Sequence, residues 1–310
     1  MDTFKRFIKF IEISTKLASL VPFFMALAYA FYLTGHIDAL NTLIFAIAMM
    51  LFDIPVTMIN NYLDKRRSGE TPHFSKAASL GMIIPMVTAS ALIGVYLTYK
   101  FGLVILLTGM TCFFVGIFYS ASPISISRTP YGEIVSGFIQ GLCLPFMAVF
   151  INARAGFFID VNLDINQLTA SAAVNILNMI KLGFMCAPAM ICVSNIMLAN
   201  NTCDVERDAA SRRYTLPYYI GKEKALILFK LLYAAVFADI IIAVIIRAIP
   251  PVCLAVLLTV PFAMKNTAAF ARNPVKSKTF ILSLNNFIII LIPYIITLFI
   301  GGAIRWWEYR

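Results

Sequence analysis

The sequence predicts an all-α membrane protein, a bundle of nine transmembrane helices that forms a single domain over residues 1–310. Two observations support this prediction. The chain is 61% hydrophobic and only 13% charged, whereas soluble domains are closer to one quarter charged. The hydrophobic residues are also gathered into long segments, as an α-helix that crosses a bilayer requires. These segments lack the alternation of a membrane β-barrel, so helices are the structure that satisfies the backbone in lipid.

Nine apolar segments are long enough, or nearly long enough, to span a bilayer as helices. The eighth is short and begins at the Pro250-Pro251 pair, so we expect it to be tilted or partial. In chain order the segments cover residues 14–34, 39–62, 77–99, 102–120, 132–152, 176–200, 224–247, 250–266 and 280–302.

The basic residues indicate how this bundle lies in the membrane. When the segments alternate in direction, most of the 25 Lys and Arg residues fall on the same side as the N-terminus, and such an excess marks the cytoplasmic side. The N-terminus and the polar stretches 63–76, 121–131 and 201–223 are therefore predicted to be cytoplasmic. Residues 153–172 are predicted to form an external connector, and an odd number of helices places the C-terminus outside the cell membrane.

The composition also narrows the chemistry. The net charge is +10. We expect the basic residues to lie in cytoplasmic loops and contact lipid headgroups rather than bind nucleic acid. None of the six cysteines lies in a CxxC pair, and the chain has only two histidines. A disulfide framework, haem ligation and a metal site built from histidine are therefore not predicted.

One short motif occurs twice. Residues 60–64 read Asn-Asn-Tyr-Leu-Asp at the end of the second segment, and residues 200–204 read Asn-Asn-Thr-Cys-Asp at the end of the sixth. Polar residues are common where a helix reaches water. Acids at the same membrane edge of two helices, however, usually have a function. The repeat favours two related halves of four helices each, followed by a ninth helix.

Helical spacing groups the oxygen ligands of each copy. Asn60 and Asp64 are four residues apart, and Asn200, Asp204 and Asp208 are predicted to stack along one helical face in the same way. Mg²⁺ prefers oxygen ligands and takes many of them from water and substrate phosphates. Two such clusters that face each other would hold a diphosphate through bridging Mg²⁺, and neighbouring bases would neutralise its charge.

These motifs resemble those of the UbiA superfamily of membrane prenyltransferases. The first family motif has the form NDxxDxxxD, and residues 60–71 are similar to it, with Asn61 in place of the usual Asp. The second has the form NNxRDxxxDxxxGKxTL, and residues 200–216 resemble it, with Arg213 where Lys is common. Residues 119–133 also resemble the family, so the likeness extends over most of the chain.

The resemblance implies a Mg²⁺-dependent transfer of a polyprenyl group from a polyprenyl diphosphate to an aromatic quinone precursor in the membrane. The motifs are most similar to those of enzymes that prenylate 1,4-dihydroxy-2-naphthoate in menaquinone biosynthesis. Other acceptors remain open: 4-hydroxybenzoate, haem or a glycerol-phosphate lipid. A cation-coupled secondary transporter is the alternative from another class, although its site would lie near the bilayer midplane rather than at helix ends.

The resemblance also implies roles for individual residues. The predicted metal ligands are Asn60, Asn61, Asp64, Glu70, Asn200, Asp204 and Asp208. The predicted diphosphate-binding residues are Lys16, Arg66, Arg67, Arg128 and Arg213. The predicted catalytic residues are Asp64, Asp204, Asp208 and Tyr119, the last because an aromatic face stabilises a cation.

Two further acids lie within predicted membrane segments. Asp53 precedes Asn60 by two helical turns on the same face, so it orients the acceptor, accepts a proton or forms a helix–helix contact. Asp239 has no partner at motif spacing, and we expect a structural role for it.

Overall fold

The computed structural model of the protein describes residues 3–164 and 169–308, which form helices and one short β-hairpin. The α-helices are α1 (Thr3–Ile11), α2 (Leu17–Thr34), α3 (Ala39–Arg67), α4 (Lys76–Phe101), α5 (Leu103–Ser120), α6 (Gly132–Phe138), α7 (Leu144–Asn152), α8 (Ile176–Cys203), α9 (Val205–Ala210), α10 (Leu216–Ile220), α11 (Lys222–Ile245), α12 (Val260–Arg272) and α13 (Ile281–Glu308). The strands are β1 (Ile159–Asp164) and β2 (Thr169–Val174).

Within the described residues, nine helical stretches are long and apolar enough to cross a membrane. This confirms the predicted multi-pass helical architecture, and α3 and α8 are the second and sixth spans, as expected for the motif helices. Two spans are composite. A π-helical turn at Ile139–Cys143 joins α6 to α7 in the fifth span, and a 3₁₀-helix at Pro251–Thr259 leads into α12 in the eighth. The relation between the two halves of the chain stays a prediction.

The N-terminal helix α1 was not predicted. Its Phe10 and Ile11 are buried against Met58 of α3 and Ile83 of α4, in a small core separate from the main one. The side chain of Asn61, in the first motif, donates a hydrogen bond to the carbonyl of Phe10 (3.0 Å). Helix α1 is therefore fastened to the end of α3 that carries the motif.

The connector after the fifth span contains structure that was also not predicted. Strands β1 and β2 pair antiparallel, from Ile159 opposite Val174 to Asp164 opposite Thr169. The sequence of β1 alternates apolar and polar residues, which is the period of a strand. The hairpin lies at the end of the bundle opposite the motifs, since it joins the far ends of α7 and α8.

Glycine allows α6 and the π-helical turn to pack closely on α8. A Cβ atom added at Gly141 would lie 2.3 Å from the Cα atom of Met190, and one added at Gly137 would lie 2.0 Å from the Ser194 hydroxyl oxygen. Small residues at a spacing of four let the backbones of membrane helices approach each other. Glu133 lies four residues before Gly137, so this contact also brings the start of α6 against the motif end of α8.

Replacing Gly141 with alanine should therefore destabilise the bundle. The added methyl group meets the backbone of α8, and overpacking of this kind lowers the free energy of unfolding by about 1–3 kcal/mol. Thermal unfolding in detergent, followed by intrinsic fluorescence, measures the effect. Gly183→Ala is the matched control, because a Cβ atom on this α8 glycine meets nothing within 4 Å. Equal melting temperatures for the two variants would contradict this account of the packing.

Candidate active site

A cavity of about 1460 Å³ runs through the bundle, lined mainly by α2, α3, α4, α5, α8 and α13 and by the fifth span. One end of the cavity carries the charged residues of both motifs. The other end is apolar and reaches Phe45 on α3, Leu97 on α4 and Ile105 on α5. From Asp64 to Phe45 the lining follows α3 for about 28 Å at the rise of an α-helix. The cavity is thus a long apolar channel with a charged mouth.

The first motif lies on an unbroken helix, because α3 continues to Arg67. Asn60, Asn61 and Asp64 all line the cavity. The side-chain oxygen of Asn60 accepts a hydrogen bond from the Ser120 hydroxyl at 2.6 Å, which ties α3 to the end of α5. No Pro or Gly interrupts the helix at the motif, so the ligand stripe keeps the predicted spacing.

The second motif departs from the predicted geometry. Asn200, Asp204 and Asp208 line the cavity, but α8 ends at Cys203 and a new helix, α9, begins at Val205. The prediction of three ligands stacked on one helical face was therefore wrong. Asp204 sits at the break between two helices, and this bend directs Asp208 back toward the cavity.

Basic residues bring the two motifs together at the mouth. Arg128, in the loop after α5, lies 3.6 Å from the Asp64 carboxylate and also donates a hydrogen bond to the carbonyl of Ser211, beyond the second motif. Arg213 lies 3.6 Å from Asp208, and Lys276 forms an ion pair with Asp204. Each of the three aspartates thus has its own cationic neighbour, and Arg128 links the two motifs directly.

The electrostatics show that the three carboxylates share one environment. Burial raises the pKa of Asp208 above its ordinary value, and the negative charges of Asp204 and Asp64 act in the same direction. The positive charge of Arg213 opposes this shift. Since the negative charges of Asp64 and Asp204 both act on Asp208, a cation bound among the three carboxylates would be stabilised by all of them.

The residues fit Mg²⁺ that is bound together with a phosphorylated ligand. The Oδ2 atom of Asp208 is buried and accepts no hydrogen bond within the described residues. Across residues 3–164 and 169–308, no three carboxylate, cysteine or histidine side chains already form a metal-binding group. This arrangement suits Mg²⁺, which binds one or two carboxylates and completes its shell with substrate phosphates and water.

The two asparagines of the second motif have different environments. Asn201 is 1% exposed and does not line the cavity. Its amide nitrogen donates to Glu133 of α6 (2.8 Å), and its side-chain oxygen accepts from Arg213 (3.2 Å). Arg213 also donates to the carbonyl of Ser127 (3.1 Å). Asn201 therefore fixes the position of an arginine at the mouth of the cavity.

Two residues expected at the diphosphate are placed elsewhere. Lys16 is 5% exposed and lies against α3, where its ammonium group is 2.9 Å from the Asp53 carboxylate. Arg66 is exposed and does not line the cavity, because it follows Asp64 on another face of α3. Lys16 lies away from the predicted diphosphate site because it pairs with Asp53. Arg66 lies away from it because helical spacing puts it on another face of α3.

The remaining predicted residues line the cavity. Arg67 donates to the carbonyl of Ser120 (3.1 Å), which holds the loop after α5. Tyr119 donates to the carbonyl of Gly132 (3.4 Å). Glu70 is exposed and lies 3.8 Å from Arg207, so it bridges the two motif loops instead of joining the aspartates.

Three bases at the mouth were missed by the sequence-based prediction of site residues. Lys65, Arg207 and Lys276 all line the cavity. The first two flank the motifs and could have been included on that ground. Lys276 lies in the connector between α12 and α13, and its distance in sequence from both motifs gave no sign that it belongs to the site.

Comparisons with known proteins agree with this geometry. A profile of the UbiA prenyltransferase family matches residues 19–306, almost the entire chain. The chain belongs to the UbiA prenyltransferase family. It is accordingly a prenyltransferase and a multi-pass membrane protein.

Relatives of this UbiA-family protein extend over most of its length. The 1,4-dihydroxy-2-naphthoate octaprenyltransferase of Bacillus subtilis (strain 168) is 26% identical over 276 residues, which are 84% of this chain and 80% of the relative. Among solved structures, a digeranylgeranylglyceryl phosphate synthase superposes with a TM-score of 0.66 at 14% identity, covering 96% of this chain and 99% of the other. A UbiA homologue from Archaeoglobus fulgidus gives a TM-score of 0.61 at 14% identity, with the same coverage. The two structures share the fold of this protein.

Proposed function

We propose that the protein transfers a polyprenyl group from a polyprenyl diphosphate to 1,4-dihydroxy-2-naphthoate, with Mg²⁺ as cofactor, as a step of menaquinone biosynthesis. The observation that carries the proposal is the meeting of Asp64, Asp204 and Asp208 at the charged mouth of a long apolar cavity. An amphiphile with a diphosphate headgroup and a hydrocarbon tail matches both parts of that cavity.

The relatives support both substrates. The Bacillus subtilis relative is a 1,4-dihydroxy-2-naphthoate octaprenyltransferase. The Archaeoglobus fulgidus homologue has been solved bound to GPP and Mg²⁺ and to DMAPP and Mg²⁺. The fold is common to proteins with different acceptors, since one structural neighbour is a digeranylgeranylglyceryl phosphate synthase. Sequence similarity therefore favours the naphthoate over the other acceptors.

Binding of the headgroup depends on both motifs. Asp64 and Asn60 of α3 and Asp204 and Asp208 beyond α8 line the cavity and would supply the oxygen ligands for Mg²⁺. Bound Mg²⁺ would draw electron density from the bridging oxygen of the diphosphate and so promote cleavage of the allylic C–O bond. Glu70 and Asn61 are less suited as ligands, because Glu70 is paired with bases and the Asn61 amide is bonded to α1.

The bases at the mouth stabilise the leaving group. Arg128, Arg213 and Lys276 already neighbour the three aspartates. Charge that develops on a departing diphosphate would be offset by these fixed cations, which need little rearrangement during the reaction. Arg128 contacts both motif regions, so it also holds the two motifs in a fixed position relative to each other.

The rest of the cavity excludes water from the allylic cation. Tyr119 lines the cavity below the mouth, and its ring offers a face that stabilises positive charge. Once the C–O bond to diphosphate has broken, the acceptor ring attacks the allylic carbon, and the ring then loses carbon dioxide or a proton to regain aromaticity. The apolar lining protects the cation from hydrolysis during this step.

The orientation in the membrane follows from the same charges. The bases of both motifs lie at one end of the bundle, and an excess of Lys and Arg favours the cytoplasm. We infer that the mouth of the cavity and the N-terminus face the cytoplasm, with the end of α13 outside. Water-soluble naphthoate would then reach the site directly from the cytoplasm.

A substrate panel tests the proposed reaction. The purified protein in lipid nanodiscs is given radiolabelled prenyl diphosphate, Mg²⁺ and one acceptor at a time: dihydroxynaphthoate, 4-hydroxybenzoate, haem or a glycerol-phosphate lipid. We expect a prenylated product with dihydroxynaphthoate, and loss of this product when EDTA removes the metal. Product with another acceptor alone, or undiminished product in EDTA, would contradict the proposal.

The lower cavity should set the length of the prenyl chain that is accepted. Gly109 of α5 lines this region, and a Cβ atom added there meets nothing within 4 Å. Gly109→Leu would therefore project into the channel without displacing backbone. We expect kcat/KM to fall at least about tenfold for octaprenyl diphosphate and to change little for geranyl diphosphate.

A matched glycine controls for general effects of this substitution. Gly183 of α8 also has open space around an added Cβ atom, but it does not line the cavity. Gly183→Leu should leave both donors unaffected. If Gly109→Leu lowers kcat/KM equally for short and long donors, the channel does not hold the tail.

A further inference from the structure

A second polar layer lies inside the cavity below the motifs. Asp53 precedes Asp64 by eleven residues on α3, which places it about 16 Å deeper at the rise of an α-helix. Asp53, Thr57, Ser136 and Gln140 all line the cavity at this level, between the charged mouth and the apolar end. A prenyl tail needs none of these groups, so the layer suggests a different ligand.

A buried lysine fixes the position of Asp53. Lys16 Nζ lies 2.9 Å from Asp53 Oδ2 and donates hydrogen bonds to the Asp53 carbonyl (2.9 Å) and to the Thr57 hydroxyl (2.6 Å). The Lys16 side chain is 6% exposed, whereas that of Asp53 is 15% exposed. The lysine is therefore enclosed behind α3, and only the carboxylate is presented to the cavity.

The Asp53 carboxylate retains capacity to accept hydrogen bonds. Oδ2 is buried against Lys16 Nζ, whereas Oδ1 accepts no hydrogen bond from any described residue. Because Asp53 lines the cavity, a carboxylate oxygen without a donor of its own can accept a hydrogen bond from a ligand. The other intramembrane acid, Asp239, also has a buried oxygen without a donor, but it does not line the cavity and forms no ion pair within the described residues.

Aromatic rings form a wall at the same depth. Phe52 and Phe113 line the cavity and stack on each other, with ring centroids 4.0 Å apart and planes inclined by 23°. Gly116 makes room for this pair, since a Cβ atom there would lie 2.6 Å from the Phe52 ring. Flat aromatic surfaces favour a ligand that is itself an aromatic ring.

We propose that Asp53 binds the aromatic acceptor by accepting a hydrogen bond from a ring hydroxyl, with Phe52 and Phe113 beside the ring. This inference rests on the proposed function and specifies where the second substrate binds. Lys16 acts as a positioning residue that holds the carboxylate in place. The site selects hydroxylated aromatic rings, because an ionised carboxylate is an acceptor only.

Hydrogen bonding at this site also assists the reaction. A hydroxyl that donates to a carboxylate shifts electron density into its ring, and the ring carbons become better nucleophiles. The hydrogen bond further holds the ring below the diphosphate, where the allylic carbon is formed. Both effects concern the acceptor and leave binding of the donor unchanged.

Steady-state kinetics of Asp53→Asn test this assignment. In nanodiscs with Mg²⁺, prenyl diphosphate and dihydroxynaphthoate, we expect KM for the acceptor to rise about tenfold or more, as for loss of a hydrogen bond to a charged group. KM for prenyl diphosphate should be unchanged. Asp239→Asn is the matched control and should alter neither constant.

A second variant separates substrate binding from helix packing. Lys16→Met with Asp53→Leu removes both charges, and apolar replacement of a buried ion pair is often neutral for stability. This double variant should fold and still show the raised acceptor KM. An unchanged acceptor KM in either variant, or an equal rise for both substrates, would overturn the assignment. No turnover by the unmodified protein with any acceptor would instead contradict the proposed function.

Discussion

Replacing Asp64 with asparagine is expected to lower kcat for prenyl transfer by on the order of 10²–10³-fold or more, the effect of removing one preorganised electrostatic group from an active site. The substitution keeps the shape of the side chain but removes a charged metal ligand and the partner of Arg128. Asp208→Asn should act in the same way, since Asp208 shares the environment of Asp64. The measurement is steady-state product formation at saturating donor and acceptor.

Glu206 provides a matched control for these substitutions. It lies between Asp204 and Asp208 in the chain, but it is exposed, pairs with Lys222 at 3.4 Å and does not line the cavity. Glu206→Gln should leave kcat within about twofold of the unmodified protein, as expected for an exposed ion pair. A comparable loss in Glu206→Gln and Asp64→Asn would show that net charge near the mouth, rather than the specific ligand, determines the rate.

Replacing Asn201 with leucine is expected to weaken binding of the diphosphate although Asn201 does not touch the cavity. The substitution removes the hydrogen bonds that connect Glu133, Asn201 and Arg213, so the guanidinium loses its fixed position. Residues that orient ligands from behind typically contribute 10- to 100-fold to affinity or activity. We therefore expect Kd for prenyl diphosphate to rise by about that factor.

Asn195→Leu separates this effect from loss of stability. Asn195 is also a buried amide of α8, and it donates to the carbonyl of Phe229 at 3.0 Å, away from Arg213. Each substitution should reduce the free energy of unfolding by about 1–3 kcal/mol, because each leaves a buried polar group without its partner. Only Asn201→Leu should raise Kd for the diphosphate. A similar rise in both variants would assign Asn201 a purely structural role.

The sequence predicted those features that depend on hydrophobic length and on motif spacing. The nine spans and the placement of Asn60 and Asp64 on one face of α3 follow from these local patterns. Helix α1 was also predictable, because Phe4, Phe7, Ile8 and Ile11 repeat at the spacing of an amphipathic helix. With nine residues, it is too short to be recognised as a membrane span.

Features that depend on tertiary contacts were not predictable from one chain. No Gly or Pro within residues 200–208 signals the helix break at Asp204. The ion pair of Lys276 with Asp204 and the hydrogen bond of Asn201 to Glu133 join residues that are distant in sequence. Lys16 was assigned to the diphosphate on the resemblance to the family, but burial against Asp53 gave it another partner.

The central claim is that the two motifs bind the same Mg²⁺-bound diphosphate, and equilibrium binding of an unreactive prenyl thiodiphosphate tests it most directly. Affinity is measured with and without Mg²⁺ for the unmodified protein, Asp64→Asn, Asp208→Asn and the double variant. We predict tight binding only with Mg²⁺, a loss of affinity in each single variant, and little further loss in the double variant, since residues that act on one unit are not additive. Mg²⁺-independent binding, or fully additive losses, would show that the motifs act on separate ligands.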